Sequence, residues 1–94
     1  MNLEILWFRV TGLMASVRSD SVVSGVLLKI GEVRLARGVS QEKLAELSGI
    51  DLGVISRAER LQRIPSMAAI MDLASALELD FAELVRGARK SNEP

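Results

Sequence analysis

The sequence predicts an all-α domain, on three observations. Apolar residues recur at steps of three and four in successive segments: Val26, Leu27, Ile30 and Val33; Leu44, Ala45 and Leu47; Met67, Ile70, Met71, Ala74 and Leu77; Phe81, Leu84 and Val85. Short polar side chains that can cap a helix start stand at Ser40, Asp51, Ser66 and Asp80. Stop signals separate the segments: Gly38 and Gly49 can end helices, and Pro65 prevents one helix from running into the next.

Residues 1–21 form an N-terminal extension. Leu3, Ile5, Leu6, Trp7, Phe8 and Val10 make an apolar run too short to span a membrane, interrupted by Arg9 and without a basic leader. The run suits an arm packed on the helical core, a strand pairing with a second subunit, or a disordered tail. Val17–Ser24 is Ser-rich and reads as a linker, and Met14 offers an alternative start. The domain proper is expected over 22–90. Its first helix, Val22 to Gly38, carries Gly31 at a cost of about 1 kcal/mol relative to Ala, so tertiary packing must hold it. Arg34 falls on or beside the apolar face, as a charge draped over its own stem or one with a partner.

Val39 to Pro65 is the centre of the chain. Ser40 caps a helix that Gly49 ends, Ile50 plugs the turn, and Asp51 caps a second helix from Leu52 to about Arg60. That helix turns Ile55 and Ala58 inward and Ser56, Arg57 and Arg60 outward. Two short helices about a Gly-containing turn form a helix-turn-helix unit, whose second helix can enter a DNA major groove. Ser66 caps the next helix, with Met67, Ile70, Met71, Ala74 and Leu77 as its apolar face. Asp80 caps the last, where Phe81, Leu84 and Val85 turn inward. Arg86, Arg89 and Lys90 in its final turn suit the helix dipole. Residues 91–94 are expected to fray.

Composition narrows the function. Cys, His and Tyr are all absent, which removes disulfides, thiolate metal sites and the commonest general base and metal ligand. We expect no enzyme, no metal and no cofactor. The net charge is zero, but the charges are segregated. Between Lys29 and Arg63, seven basic residues face five acidic ones, whereas Ser66–Val85 holds four acids and no base. Such an asymmetric field orients a molecule on a polyanion, although solvated helix faces also produce charge blocks.

The words IGEVRLARGVSQEKLAELSG, ISRAER and IPSMAAIMDLASALELDFAELV, in that order, resemble the Cro- and phage-repressor-type helix-turn-helix family, often called the XRE family. They span Ile30 to Val85, about sixty percent of the chain. The resemblance implies a five-helix repressor-like bundle that binds duplex DNA as a homodimer and controls transcription in the cytoplasm. We expect no membrane partner and no small-molecule effector. GIDLGVIS…ER further resembles restriction–modification controller proteins.

Carried over residue by residue, the resemblance gives Gln41 a DNA phosphate to hold at a helix N-terminus and a role in steadying the second helix. It pairs Arg34 with Glu59 as an internal ion pair. Base-reading positions fall on Leu52, Gly53, Ser56 and Arg57. Leu52 can only touch a thymine methyl and Gly53 offers backbone alone, so reading rests mostly on Arg57, whose fork suits guanine O6 and N7. Arg60, Arg63, Lys43 and Arg37 are expected on the DNA backbone. Leu61 stands where the family often has Gly, which implies a different loop after the recognition helix. Met67, Met71, Phe81 and Val85 are the dimer-interface candidates, with the N-terminal arm as a second surface. The rival is a protein-interaction module of antitoxin or antirepressor type on the same scaffold.

Overall fold

The computed structural model describes the backbone of residues 3–91 and the side chains of residues 20–91. Within them run five helices and no strand: α1 Leu3–Ala36, α2 Gln41–Ser48, α3 Leu52–Glu59, α4 Met67–Ala76 and α5 Phe81–Ser91. None of these helices is long and apolar enough to cross a membrane. Residues 92–94 lie outside the described region.

The helix starts follow the cap chemistry. Ser40 Oγ accepts from Lys43 N at 3.0 Å, Asp51 Oδ2 from Gly53 N at 2.9 Å, Ser66 Oγ from Ala69 N at 3.1 Å, and Asp80 Oδ1 from Ala82 N at 2.9 Å. Each bond satisfies a first-turn N–H that has no partner within its own helix. The helix ends are less orthodox. Gly49 closes α2 with φ 74°, but the residue after the α3 cap is Leu61, with φ 55°, and the residue after the α4 cap is Glu78, with φ 56°. Gln62 N donates to Arg57 O at 2.9 Å and Leu61 N to Ala58 O at 3.0 Å. This is the paired closure that glycine usually makes at a helix end. Leu61 therefore adopts the left-handed conformation itself, at a cost of about 1–2 kcal/mol for a residue with a Cβ.

The N-terminal region departs from expectation. Leu3 to Ala36 is one helix, so neither a strand nor a Ser-rich linker separates residues 3–21 from the bundle. No proline occurs before Pro65. Ser and Val cost only about half a kcal/mol each in a helix, and Val22 and Val23 pack against the core. The interface considered for the apolar run at 3–10 rests on side chains outside the described ones.

Val26, Leu27, Ile30, Leu44, Ile55, Ala58, Ile70, Leu73, Ala74, Leu77, Leu84 and Ala88 form the core. Helix α1 packs against α5, and α2 is held between α3 and α4. A Cβ built on Gly25 would lie 3.0 Å from Ala88 Cβ, so the α1–α5 approach depends on glycine. Two assignments shift. Met67 and Met71 are exposed and Leu73 takes the inward position on α4, while Phe81 and Val85 are half-buried against the core. The α4 stripe that includes Leu73 has the same three- and four-residue spacing, so periodicity alone did not choose between them.

Candidate nucleic-acid interface

The turn between α2 and α3 is tied at each step. Gly49 N donates to Ala45 O at 2.9 Å, Ser48 Oγ to Leu44 O at 2.7 Å, and Ile50 N to Ser48 Oγ at 3.1 Å. Ile50 packs half-buried against the core. With Ile55 and Ala58 inside, α3 turns Leu52, Arg57 and Arg60 to solvent, with Ser56 half-buried beside them.

The two arginines of that face share a posture. Arg57 Nε donates to Gly53 O at 3.1 Å, and Arg60 Nε donates to Ser56 O at 3.3 Å. Arg60 Nη2 also reaches Ser56 Oγ at 3.2 Å. Each guanidinium lies back along the helix by one turn, leaving nitrogens of its fork for an acceptor outside the protein. Leu52 is 38% exposed, while Gly53 lies half-buried beneath the Arg57 side chain.

Behind this face, Arg34 is buried, and Nε and Nη2 donate to Glu59 Oε1 and Oε2 at 2.6 and 2.9 Å. Arg34 Nη1 donates to Val39 O at 2.7 Å. Gln41 Nε2 donates to Glu59 Oε2 at 2.8 Å. One carboxylate at the end of α3 thus joins α1, the start of α2 and the recognition-helix candidate. Hydrogen bonding to Glu59 is the largest influence on Arg34 and raises its pKa, against burial. For Glu59, burial is the largest influence and pushes upward. The bonds from Arg34 and Gln41, with the Arg34 charge, outweigh it and hold the carboxyl below its usual range. The resemblance implies that Gln41 steadies the second helix, but nothing local in the sequence names Glu59 as the residue it reaches.

The other cations are arranged differently from one another. Lys43 is exposed and 3.7 Å from Glu46, an ion pair one helical turn along α2. Arg63 is exposed in the segment after α3. Arg37, expected on a DNA backbone, donates instead to the carbonyl of Leu77 at the end of α4. Its charge there complements the negative end of that helix. Among the described residues no group of three or more His, Cys, Asp or Glu is placed to hold a metal ion.

A protein-family model described as helix-turn-helix matches residues 30–84. The chain is 30% identical over 66 residues to the HTH-type transcriptional regulator PuuR of Escherichia coli K12, covering 70% of this chain and 36% of that protein. The same figures hold for PuuR of Shigella flexneri. It is 36% identical over 56 residues to the uncharacterized HTH-type transcriptional regulator YazB of Bacillus subtilis 168, covering 60% of this chain and 81% of that protein. The chain thus spans about a third of the PuuR length and most of YazB. No solved structure matches the chain. With a capped two-helix unit embedded in a five-helix bundle and a family match that takes in both, the chain belongs to the XRE-type helix-turn-helix family of DNA-binding proteins.

Proposed function

We propose that this chain is a sequence-specific transcription regulator that binds duplex DNA as a homodimer, with α3 in the major groove. The observation that carries this is the solvent-facing guanidinium edge of α3, Arg57 and Arg60, on the second helix of a rigid capped unit. Arg57, with Leu52 and Ser56 beside it, reads bases, and Arg60, Arg63 and Lys43 hold phosphates. Gln41 stands at the α2 N-terminus, where backbone N–H groups favour a phosphate, and its bond to Glu59 fixes its orientation. The names of the relatives, transcriptional regulators, agree with this role. A regulator of this kind acts at the chromosome, and on that ground we assign the protein to the cytoplasm.

The dimer follows from reach. One short recognition helix covers too few base pairs for useful selectivity, whereas two related by a twofold axis meet half-sites about 34 Å apart. Leu61, Ile64, Met67 and Met71 are 40, 53, 59 and 48% exposed, a run of apolar side chains between α3 and the outer face of α4. We assign the subunit contact to this run, and give Phe81 and Val85, half-buried against the core, a supporting role.

The same exposed run favours the rival, a protein-interaction module. Footprinting with the purified chain on DNA flanking its own gene separates the two. A regulator protects a twofold-symmetric site, and Arg57→Ala loses that protection selectively. An interaction module protects nothing at any concentration that leaves control DNA clean.

A further inference from the structure

We propose that Gly53 is a specificity-determining position whose missing side chain sets the pose of Arg57, an inference that rests on the DNA-binding function above. Three observations converge on the spot where a Gly53 Cβ would stand. Arg57 Nη2 is 3.2 Å from it and Arg57 Cζ 3.9 Å. Asp51 Oδ2, which caps α3 through Gly53 N, is 3.0 Å from it. Arg57 Nε is already committed to Gly53 O at 3.1 Å.

Glycine here is not a backbone requirement. Gly53 lies inside α3 and is absent from the positive-φ residues, so alanine fits the conformation and favours the helix. What alanine does not fit is the guanidinium. Its Cβ would stand 3.0 Å from Asp51 Oδ2 and 3.2 Å from Arg57 Nη2, both tighter than ordinary van der Waals contact, so both side chains must give, and the long Arg57 side chain has the freer path. In wild type, Nε is held by the protein and the fork end is available, which presents terminal N–H donors to adjacent acceptors such as guanine O6 and N7. Gly53 is thus a positioning residue, acting through Arg57 without a base contact of its own. A lone glycine near a helix start would otherwise be a poor choice.

The test uses the full chain. A preferred duplex is selected from a randomised library with wild-type protein, and the base pair read by Arg57 is identified as the one whose preference Arg57→Ala abolishes. Discrimination at that pair, the ratio of Kd values for the substituted and preferred duplexes, is then measured for Gly53→Ala and Arg57→Lys. We expect Gly53→Ala to lower this ratio about five- to tenfold, while its circular dichroism spectrum keeps the wild-type helix content. Arg57→Lys, which keeps the charge but not the fork, lowers the ratio likewise. In parallel, the Arg57 Nε–H resonance of the free protein is followed by NMR and is expected to shift and exchange faster in Gly53→Ala. Full discrimination by Gly53→Ala, or an unchanged Nε–H resonance, overturns the inference while leaving the function intact. A wild-type protein that selects no duplex overturns the function, and this inference with it.

Discussion

Removing the Glu59 carboxylate should destabilise the bundle before it alters base preference. Glu59→Ala leaves Arg34, 7% exposed, with only the Val39 carbonyl as partner, and strips Gln41 of its acceptor. Stranding one member of a buried pair costs about 3–5 kcal/mol. Some water reaches the Glu59 side chain, which is 18% exposed, so we take the lower part of that range, about 3 kcal/mol. A domain of this size is stable by only about 5–15 kcal/mol, and each kcal/mol moves the midpoint by about 4–8 °C. The expected fall is therefore about 12–24 °C, read by circular dichroism on heating and by urea titration with an unchanged slope. Replacing both partners, as in Arg34→Met/Glu59→Met, should recover much of the loss, because no charge is then left buried alone. A loss under about 1 kcal/mol in Glu59→Ala would refute the reasoning. The same pair predicts a pH dependence. Because the folded carboxyl titrates below its ordinary value of about 4.3, its stabilising contribution is complete above that value and is lost as pH falls through the depressed one. In Glu59→Gln this share of the acid limb should be missing.

Three backbone positions give further predictions. Gly25→Ala should cost about 1–3 kcal/mol in urea titration, since its Cβ would meet Ala88 Cβ at 3.0 Å and force α1 from α5. Gly31→Ala should do the reverse and gain up to about 1 kcal/mol, because a Cβ there would meet the Glu59 side chain at 3.6 Å, an ordinary contact. Leu61→Gly should raise the unfolding free energy of the dilute, monomeric chain by relieving the left-handed φ of 55°, by up to about 1 kcal/mol after the added flexibility of the unfolded chain is subtracted.

Much of this fold could be read from the sequence because its signals are local. Ser40, Asp51, Ser66 and Asp80 announce helix starts by chemistry that involves only the next three residues. Gly49 announces a stop in the same way. What escaped was set by tertiary context. The Ser-rich stretch at 17–24 has no residue that forbids a helix, and packing of Val22 and Val23 decides in favour of one. Leu61 and Glu78 take a conformation their types disfavour, so composition could not reveal it. On the candidate interface, the outward placement of Arg57 and Arg60 followed from helical period. Their folding back onto Gly53 O and Ser56 O did not, nor did the commitment of Arg37 to α4.

Engagement of duplex DNA by the arginine edge of α3 should show in the salt dependence of binding. Affinity for a selected duplex should be measured by fluorescence anisotropy across a range of KCl concentrations. The logarithm of the association constant should fall linearly with the logarithm of salt, with a slope of about −5 for a dimer making six phosphate contacts. Arg60→Ala should flatten that slope by about 2 units, one contact from each subunit. Arg57→Ala should leave the slope nearly intact and abolish the preference for the selected site. Binding that ignores salt, or a site preference that survives the loss of Arg57, would contradict the account.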